Sequence, residues 1–527
     1  MSEAASPNAF FLDQTAVGTP QRRVSSSDES HAHIRGSGLL LAGRLIACVL
    51  NFAVQVLIVR YLSKTDFGAF AYALAVASMA SSGILLGLGK ALPRLVPIYF
   101  EKHDLARTFG SIVLAIGAVA GLGVSLVLLL HGFAGTASNL VGNAESLALL
   151  MIVIALAPID ALDHLLQQVA AVFVGAKAIF FRRQILGPGL KLAAIAAVIA
   201  IAGDARMLAY GYVAGGFIGV CLYVAVLVKE WRARGLLEHL MPRRLVFPGR
   251  ELFGFSLPLM SAELGVLWRG AIAVLILEYF RPTSAVADYR AVLPVAGMNM
   301  IVCEAFAFLY VPNASKLFAR ENFDSINSLY WHTSIWVAVL TFPIFAATCV
   351  LSGPLTVLLF GEAYAEAGVL LALLAIGFYV NAVIGFNAAT LRVYGHVKLL
   401  LAGDLLAAAI AVLGSCVLVQ FYGALGAAIA TTTALILHNL FSHIGLRIAG
   451  TGIRLIDSAF VRVQGIIGLL LVSLALVQWL LAPSMAVSLA MVAAMSVMLI
   501  RATRREVKAA STFPELLRIP VLRWLLA

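Results

Sequence analysis

Apolar residues run in blocks of twenty or more from about Gly36 to Arg501, broken by short charged or turn-rich segments. A block of that length crosses the ~30 Å of bilayer hydrocarbon as a helix. Taking the breaks as boundaries predicts fourteen spans. In the first part of the chain they are 36–60, 68–92, 108–132, 146–174, 180–203 and 207–229. After a longer connection come 251–279, 285–312, 328–351, 366–390, 397–421, 424–447, 461–481 and 483–501. Residues 1–35 are polar, open with no cleavable signal peptide, and are expected to form a disordered tail.

Composition agrees with this pattern. Of 527 residues, 62% are hydrophobic and 12% charged, where a soluble chain carries about 25% charged residues. Mean hydropathy is +0.98. The basic residues orient the spans: with the N-terminus inside, 28 of the 37 Lys and Arg fall in tails and inner loops. Five fall on the opposite side (Arg60, Lys64, Arg206, Arg281, Arg290) and four within spans (Arg44, Lys90, Lys191, Arg269). The positive-inside rule therefore places both termini in the cytoplasm. The net charge of +11 is explained by this topology and by contact with anionic lipid headgroups, so no nucleic-acid partner is expected. Cys48, Cys221, Cys303, Cys349 and Cys416 lie far apart in apolar segments, which suits buried small side chains and neither disulfides nor a metal site. No cofactor is expected.

The two sides of the 229–250 connection resemble each other. "RYLSKTDFGAFAYALAV", from Arg60, aligns with "EYFRPTSAVADYRAVLPV", from Glu278, around Tyr61 and Tyr279, and Pro93 answers Pro312. The offsets are 218 and 219 residues, so the register holds across a whole hairpin. Six spans is an even number, so the copies point the same way through the membrane, as in carriers with a site between two rocking halves. The expected organisation is a tail at 1–35, a six-helix lobe at 36–230, a cytoplasmic linker at 231–250, a second six-helix lobe at 251–450, two added helices at 451–502 and a basic tail at 503–527.

"VRYLSKTDFGAFAYALAVASMASSGILLGLGKALPRLVPIY" resembles the first hairpin of the bacterial polysaccharide flippases, the O-antigen and exopolysaccharide lipid translocases of the multidrug/oligosaccharidyl-lipid/polysaccharide superfamily. "FSLPLMSAELGVLWRGAIAVLILEYFRPTSAVADY", "LSGPLTVLLFGEAYAEAGVLLALLAIGFYVNAVIGFNAATLRVYGHVKLLLAGDLL" and "YGALGAAIATTTALILHNL" are similar to the same family, over most of residues 36–450. The resemblance implies an all-α polytopic protein: two six-helix bundles around a central cavity, with two extra helices. It implies alternating access in a bacterial inner membrane, coupled to H⁺ or Na⁺. The implied substrate is a polyprenyl-pyrophosphate-linked oligosaccharide, moved from inner to outer leaflet for lipopolysaccharide or exopolysaccharide assembly, with polymerase machinery and membrane lipids as partners.

A pyrophosphate and a glycan need cations and hydrogen-bonding groups inside the membrane, and arginine's planar fork suits a diphosphate. Arg269 lies eleven residues before Phe280, or about 16 Å deep at helical rise. The repeat sets it opposite Asn51. Two readings are open: substrate contact in a shared cavity, or a structural ion pair with Glu263 or Glu304. Arg44 suits either the cavity or snorkelling to inner headgroups, and Lys90 and Lys191 read as interfacial anchors. "PIDALDHLLQQ" puts Asp160, Asp163, His164 and Gln167 on one helix stripe. A carboxylate one turn from a histidine can hold or relay a proton, so Asp160, Asp163 and His164 are ion-coupling candidates; a satisfied polar core is the alternative. Asn381, Asn387, His438 and Asn439 suit sugar hydroxyls or interhelical hydrogen bonds.

"GILLGLGK" is no phosphate loop, because its glycines are misplaced and it lies in a span. The chain is therefore read as a transporter and not an enzyme. Short external loops argue against a glycosyltransferase, polymerase or ligase. A lipid II-type flippase and a cation-coupled multidrug exporter are the neighbouring alternatives.

Overall fold

The computed structural model describes residues 46–133, 135, 143–174, 181–240 and 245–507, with the side chains of 258, 259 and 261–270 excepted. Among these residues every regular element is a helix. The first half holds α1 (Ile46–Tyr61), α2 (Lys64–Ile84), α3 (Leu88–Glu101), α4 (Leu105–Gly132), α5 (Ala144–Val153), α6 (Leu156–Phe173), α7 (Gly187–Ala200) and α8 (Ala205–Ala233). Then come α9 (Gly249–Phe280), α10 (Thr283–Gly297), α11 (Ile301–Ala319), α12 (Phe323–Cys349), α13 (Ser352–Phe360), α14 (Ala367–Val383) and α15 (Phe386–Val393). The last are α16 (Val397–Tyr422), α17 (Ala424–Ile448), α18 (Ser458–Leu481) and α19 (Met485–Ala502). Twelve helical segments among the described residues are long and apolar enough to cross a membrane. The shorter apolar helices Ile46–Tyr61 and Ala271–Phe280, in α1 and α9, fall at the predicted spans 36–60 and 251–279.

Polar caps set the helix starts. Ser63 accepts from the Asp66 amide at 3.1 Å, Asp104 from Arg107 at 3.0 Å, Asn322 from Ser325 at 3.1 Å and Asp457 from Phe460 at 3.0 Å. Each such cap contributes roughly 1 kcal/mol and stops the helix sliding past the membrane edge. The caps also carry the repeat: Asp104 and Asn322 lie 218 residues apart, and α8 and α17 start 219 residues apart.

Four spans are made of two helices each, and they too correspond between halves: α2/α3 with α10/α11, and α5/α6 with α14/α15. At the first break Leu86 and Gly87 adopt φ of 49° and 72°. Gly87 lies so close to the Ser256 carbonyl of α9 that a Cβ would collide with it. At the second, Pro294 precedes a 3₁₀ turn at Met298–Met300. Irregular backbone is tolerated at this depth where protein buries it or where it lines a cavity.

The face carrying the turns at 62–63, 281–282 and 423 is called outer below, following the basic-residue count. There the halves are clasped. Arg60 at the end of α1 donates to the carbonyls of Leu358 and Leu359 at the end of α13, the latter at 2.8 Å. Lys64 bridges Asp288 at 2.8 Å and donates to the Ala363 carbonyl at 3.0 Å. The apolar core follows the clasp: Phe360, Tyr364, Leu370 and Val419 from the second half are buried in one cluster with Val59 and Phe67 from the first. Tyr330, Phe342 and Phe386, toward the other face, belong to a separate cluster. On that inner face the start of α9 leans on the first half, with Arg94 over the Phe255 ring at 4.5 Å and Tyr99 donating to Glu251.

The α2/α3 break yields a stability prediction. Gly87→Ala meets both a left-handed backbone and the Ser256 carbonyl, and should cost about 2 kcal/mol or more. Gly83→Ala, with nothing near its Cβ, should be neutral or slightly stabilising. Thermal unfolding in detergent checks the pair through a lower midpoint for the first alone.

Candidate functional site

A charged cavity of about 310 Å³ lies within the first half, lined by α1, α2, α6, α7, α8 and the segment before α7. Its polar wall holds Asn51, Asp160, Asp163, Arg182, Arg183, Lys191 and Tyr212. Asp160 is 16 residues into the 144–173 span and 13 from its end, so it sits about 20 Å from either surface. Burying such charges in hydrocarbon is tolerated when they pair or line a wet cavity, and both occur here.

Local structure explains the arrangement. Phe181–Leu186 forms a π-helical turn, a rare and wider helix that is frequent at functional sites. It presents Arg182, whose guanidinium bonds Asp163 and lies 4.5 Å from the Tyr223 ring centroid. Lys191 lies 5.7 Å from the Tyr212 ring centroid. On α8, Gly211, Gly215 and Gly219 repeat every fourth residue: the first two face Ala194 and Leu190 of α7, and the third leaves room for Arg182. A Cβ at Gly219 would overlap the Arg182 Nη2 atom. Asp160 is exposed to the cavity, and its carboxylate has no hydrogen-bond donor among the described residues. Three cations around two carboxylates, with free space, can hold a proton, a small cation or an anion.

The structure brings together three of the predicted residues, Asn51, Asp160 and Asp163. It corrects other expectations. Asn51 lines this first-half cavity, and its amide donates to the Ala47 carbonyl at 2.8 Å. His164 is outside the lining set, and its ring packs against Gly89 of α3. Lys191, expected as an anchor, is part of the cavity wall. Asn387 and Asn439 are each 1% exposed and tied to one another, and Asn439 donates to Asn381 at 2.7 Å. These three amides therefore join α14, α15 and α17. His438 on α17 stands 3.8 Å from Asp404 on α16. Arg44 lies outside the described residues, as does the side chain of Arg269, whose backbone belongs to α9.

Residues 34–312, more than half of the chain, match the sequence profile of the family described as polysaccharide biosynthesis protein. The chain belongs to this family. Its fold is similar to that of a lipid II flippase MurJ in an inward closed conformation (TM-score 0.65, 13% identity, 91% of this chain and 99% of that one). It is also similar to an inward-facing multidrug resistance MATE family transporter of the MOP superfamily (TM-score 0.64, 15% identity, 79% of this chain and 99% of that one). An outward-facing MATE family conformation gives a TM-score of 0.50 at 14% identity, with 79% of this chain and 96% of that one covered. At such identities the likeness establishes the fold, that of the MOP-superfamily transporters. No curated protein matches the sequence.

In this member of the polysaccharide biosynthesis family, two features escape a reading by charge position. Arg182 and Arg183 count as inner-loop residues because they open a span; the four-residue glycine spacing on α8 is the signal that a bulky neighbour fits there. Arg290 counts as external, yet α10 begins at Thr283. It therefore lies seven residues into the helix, about 10 Å below the outer edge. "RPTS", a proline just before the first helical turn, marks the helix start and agrees with the predicted 285–312 span in setting Arg290 inside the helix.

The Asp163–Arg182 contact predicts a coupled pair. Asp163→Asn or Arg182→Gln alone leaves a charge stranded and should destabilise by about 3 kcal/mol, whereas the double variant should recover part of the loss. Unfolding midpoints of the three variants, arranged as a thermodynamic cycle, measure that recovery.

Proposed function

We propose that the chain flips a polyprenyl-pyrophosphate-linked oligosaccharide from the inner to the outer leaflet of a bacterial inner membrane, both termini being cytoplasmic. The 36–230 and 251–450 blocks rock about the site between them, and 451–502 adds two flanking helices. The supporting observation is Arg290. Its backbone carbonyl accepts from Gln55 of α1 at 3.3 Å, so it lies where the halves meet, beneath the outer clasp. It is partly buried, and among the described residues no carboxylate pairs with it. Beyond the 3₁₀ turn at Met298–Met300, the same span carries an exposed Glu304 on α11. A cation held where the halves meet suits a diphosphate, while the polyprenyl tail stays in the bilayer. A drug-cation exporter would gain nothing from it.

Ion coupling is assigned to the first-half cavity, with Asp160 as the group that takes up H⁺ or Na⁺ and the Asp163–Arg182 pair holding the wall in place. The wider assignment, to lipopolysaccharide or exopolysaccharide assembly beside a polymerase, is supported by the family's description as a polysaccharide biosynthesis protein.

Two measurements in proteoliposomes test these assignments. Arg290→Ala should cut translocation of a lipid-linked oligosaccharide at least tenfold, with Arg290→Lys intermediate because it keeps the charge and loses the fork. Unchanged transport in Arg290→Ala sinks the substrate contact. Asp160→Asn should abolish the dependence of transport on an imposed ion gradient; a retained dependence removes Asp160 from coupling.

A further inference from the structure

Outside both sites, a carboxylic acid is buried in the seam that closes the outer face. Glu278, near the end of α9, is 4% exposed. It forms the floor of an outer pocket of about 460 Å³, whose rim includes Thr65, Asn143, Arg281, Thr283 and Ser284. Residues from both halves meet on it. The Asn143 amide donates to the Thr283 hydroxyl at 3.0 Å, and that hydroxyl donates to Glu278 Oε1 at 3.1 Å. The backbone is equally tight, since Gly68 of α2 abuts the Thr283 carbonyl with no room for a Cβ.

The other oxygen is the unusual part. Glu278 Oε2 and the Ser146 hydroxyl are both buried, and among the described residues each has the other as its polar neighbour, with no cation beside them. The surrounding cations are turned elsewhere: Lys64 to Asp288, Arg281 to the carbonyls of Val419 and Gln420, Arg206 to Glu145. Asp66 is turned to Ser63, and the titratable side chain facing Glu278 from α2 is Tyr72. An ionised carboxylate in this setting lacks both water and a counter-charge. The Ser146 hydroxyl can serve either form, donating to the carboxylate or accepting from an Oε2–H, so it is the absence of a counter-charge that favours the neutral acid. Oε2 is buried and Oε1 already accepts from Thr283, a setting that suits a proton better than a sodium ion.

We propose that Glu278 is a proton-binding site of the outer gate, occupied when the halves are closed on that face and emptied into external water when they part. The inference rests on the alternating-access reading above and adds a control to it. Closing buries the acid and opening hydrates it, so the closed form binds one more proton. Acid outside therefore favours closure, and rising pH favours opening, by up to about tenfold per pH unit where the two forms differ by a full proton.

Hydrogen–deuterium exchange of the full chain in lipid nanodiscs, without substrate, tests this between pH 5 and 8. Rates are corrected for the intrinsic pH dependence of exchange. Wild type should lose protection with rising pH in peptides covering 62–68 and 278–290. Glu278→Gln, a neutral isostere, should stay protected throughout. Lys64→Gln, which loosens the clasp without touching the acid, should be less protected at every pH and keep the wild-type slope. A pH-independent wild type overturns the proposal, as does a Glu278→Gln variant with the wild-type slope, or a slope lost in Lys64→Gln but kept in Glu278→Gln. Added lipid-linked oligosaccharide at fixed pH reports separately on alternating access: failure to alter outer-face protection counts against that reading and leaves the pH result standing.

Discussion

Hydrocarbon solvates neither charge nor unbonded backbone, and each departure from regular apolar helix in this protein answers to that fact. Caps at Ser63, Asp104, Asn322 and Asp457 close helix ends where the chain leaves the bilayer. The broken spans place their irregular turns against neighbouring helices, as Gly87 does against Ser256. Charges within the membrane are gathered into a cavity or a seam. Asp163 holds Arg182, Lys191 finds an aromatic face, and Lys64 finds Asp288.

The same constraint separates two kinds of polar group. The amides of Asn381, Asn387 and Asn439 satisfy one another and tie helices together. Asp160 and Arg290 have no such partner among the described residues and lie at a cavity wall and at the junction of the halves. A polar residue deep in a membrane is therefore informative through what it leaves unsatisfied. Residue type alone does not make the distinction, since asparagine, aspartate and arginine all break an apolar run in the same way.

This is also the limit of what could be read from the sequence. Span number and order were legible because run length against bilayer thickness is a one-dimensional quantity. The repeat was legible because turn and cap residues recur at a fixed offset. The Asp160–Asp163 pair was visible as helical spacing, but the rotation that turns His164 onto Gly89 is set by packing between α3 and α6. Arg182 was hidden because a basic residue at the inner end of the predicted 180–203 span counts as inner-loop charge, and a π-turn carries it into the cavity. Arg290 was hidden because the charge count assigned it to the outer end of the predicted 285–312 span, although it lies seven residues into α10.

The clasp of Arg60 on the carbonyls of Leu358 and Leu359 shares one feature with the contact of Arg281 on Val419 and Gln420: its acceptors are main chain. Backbone carbonyls do not titrate over physiological pH, and they are present whichever side chains α13 carries. This fastening can thus persist through sequence drift in its partner helix, with no compensating charge required on the other side. It leaves the sensitivity of the seam to solution conditions to be set elsewhere, by side chains that can change independently of the lock itself.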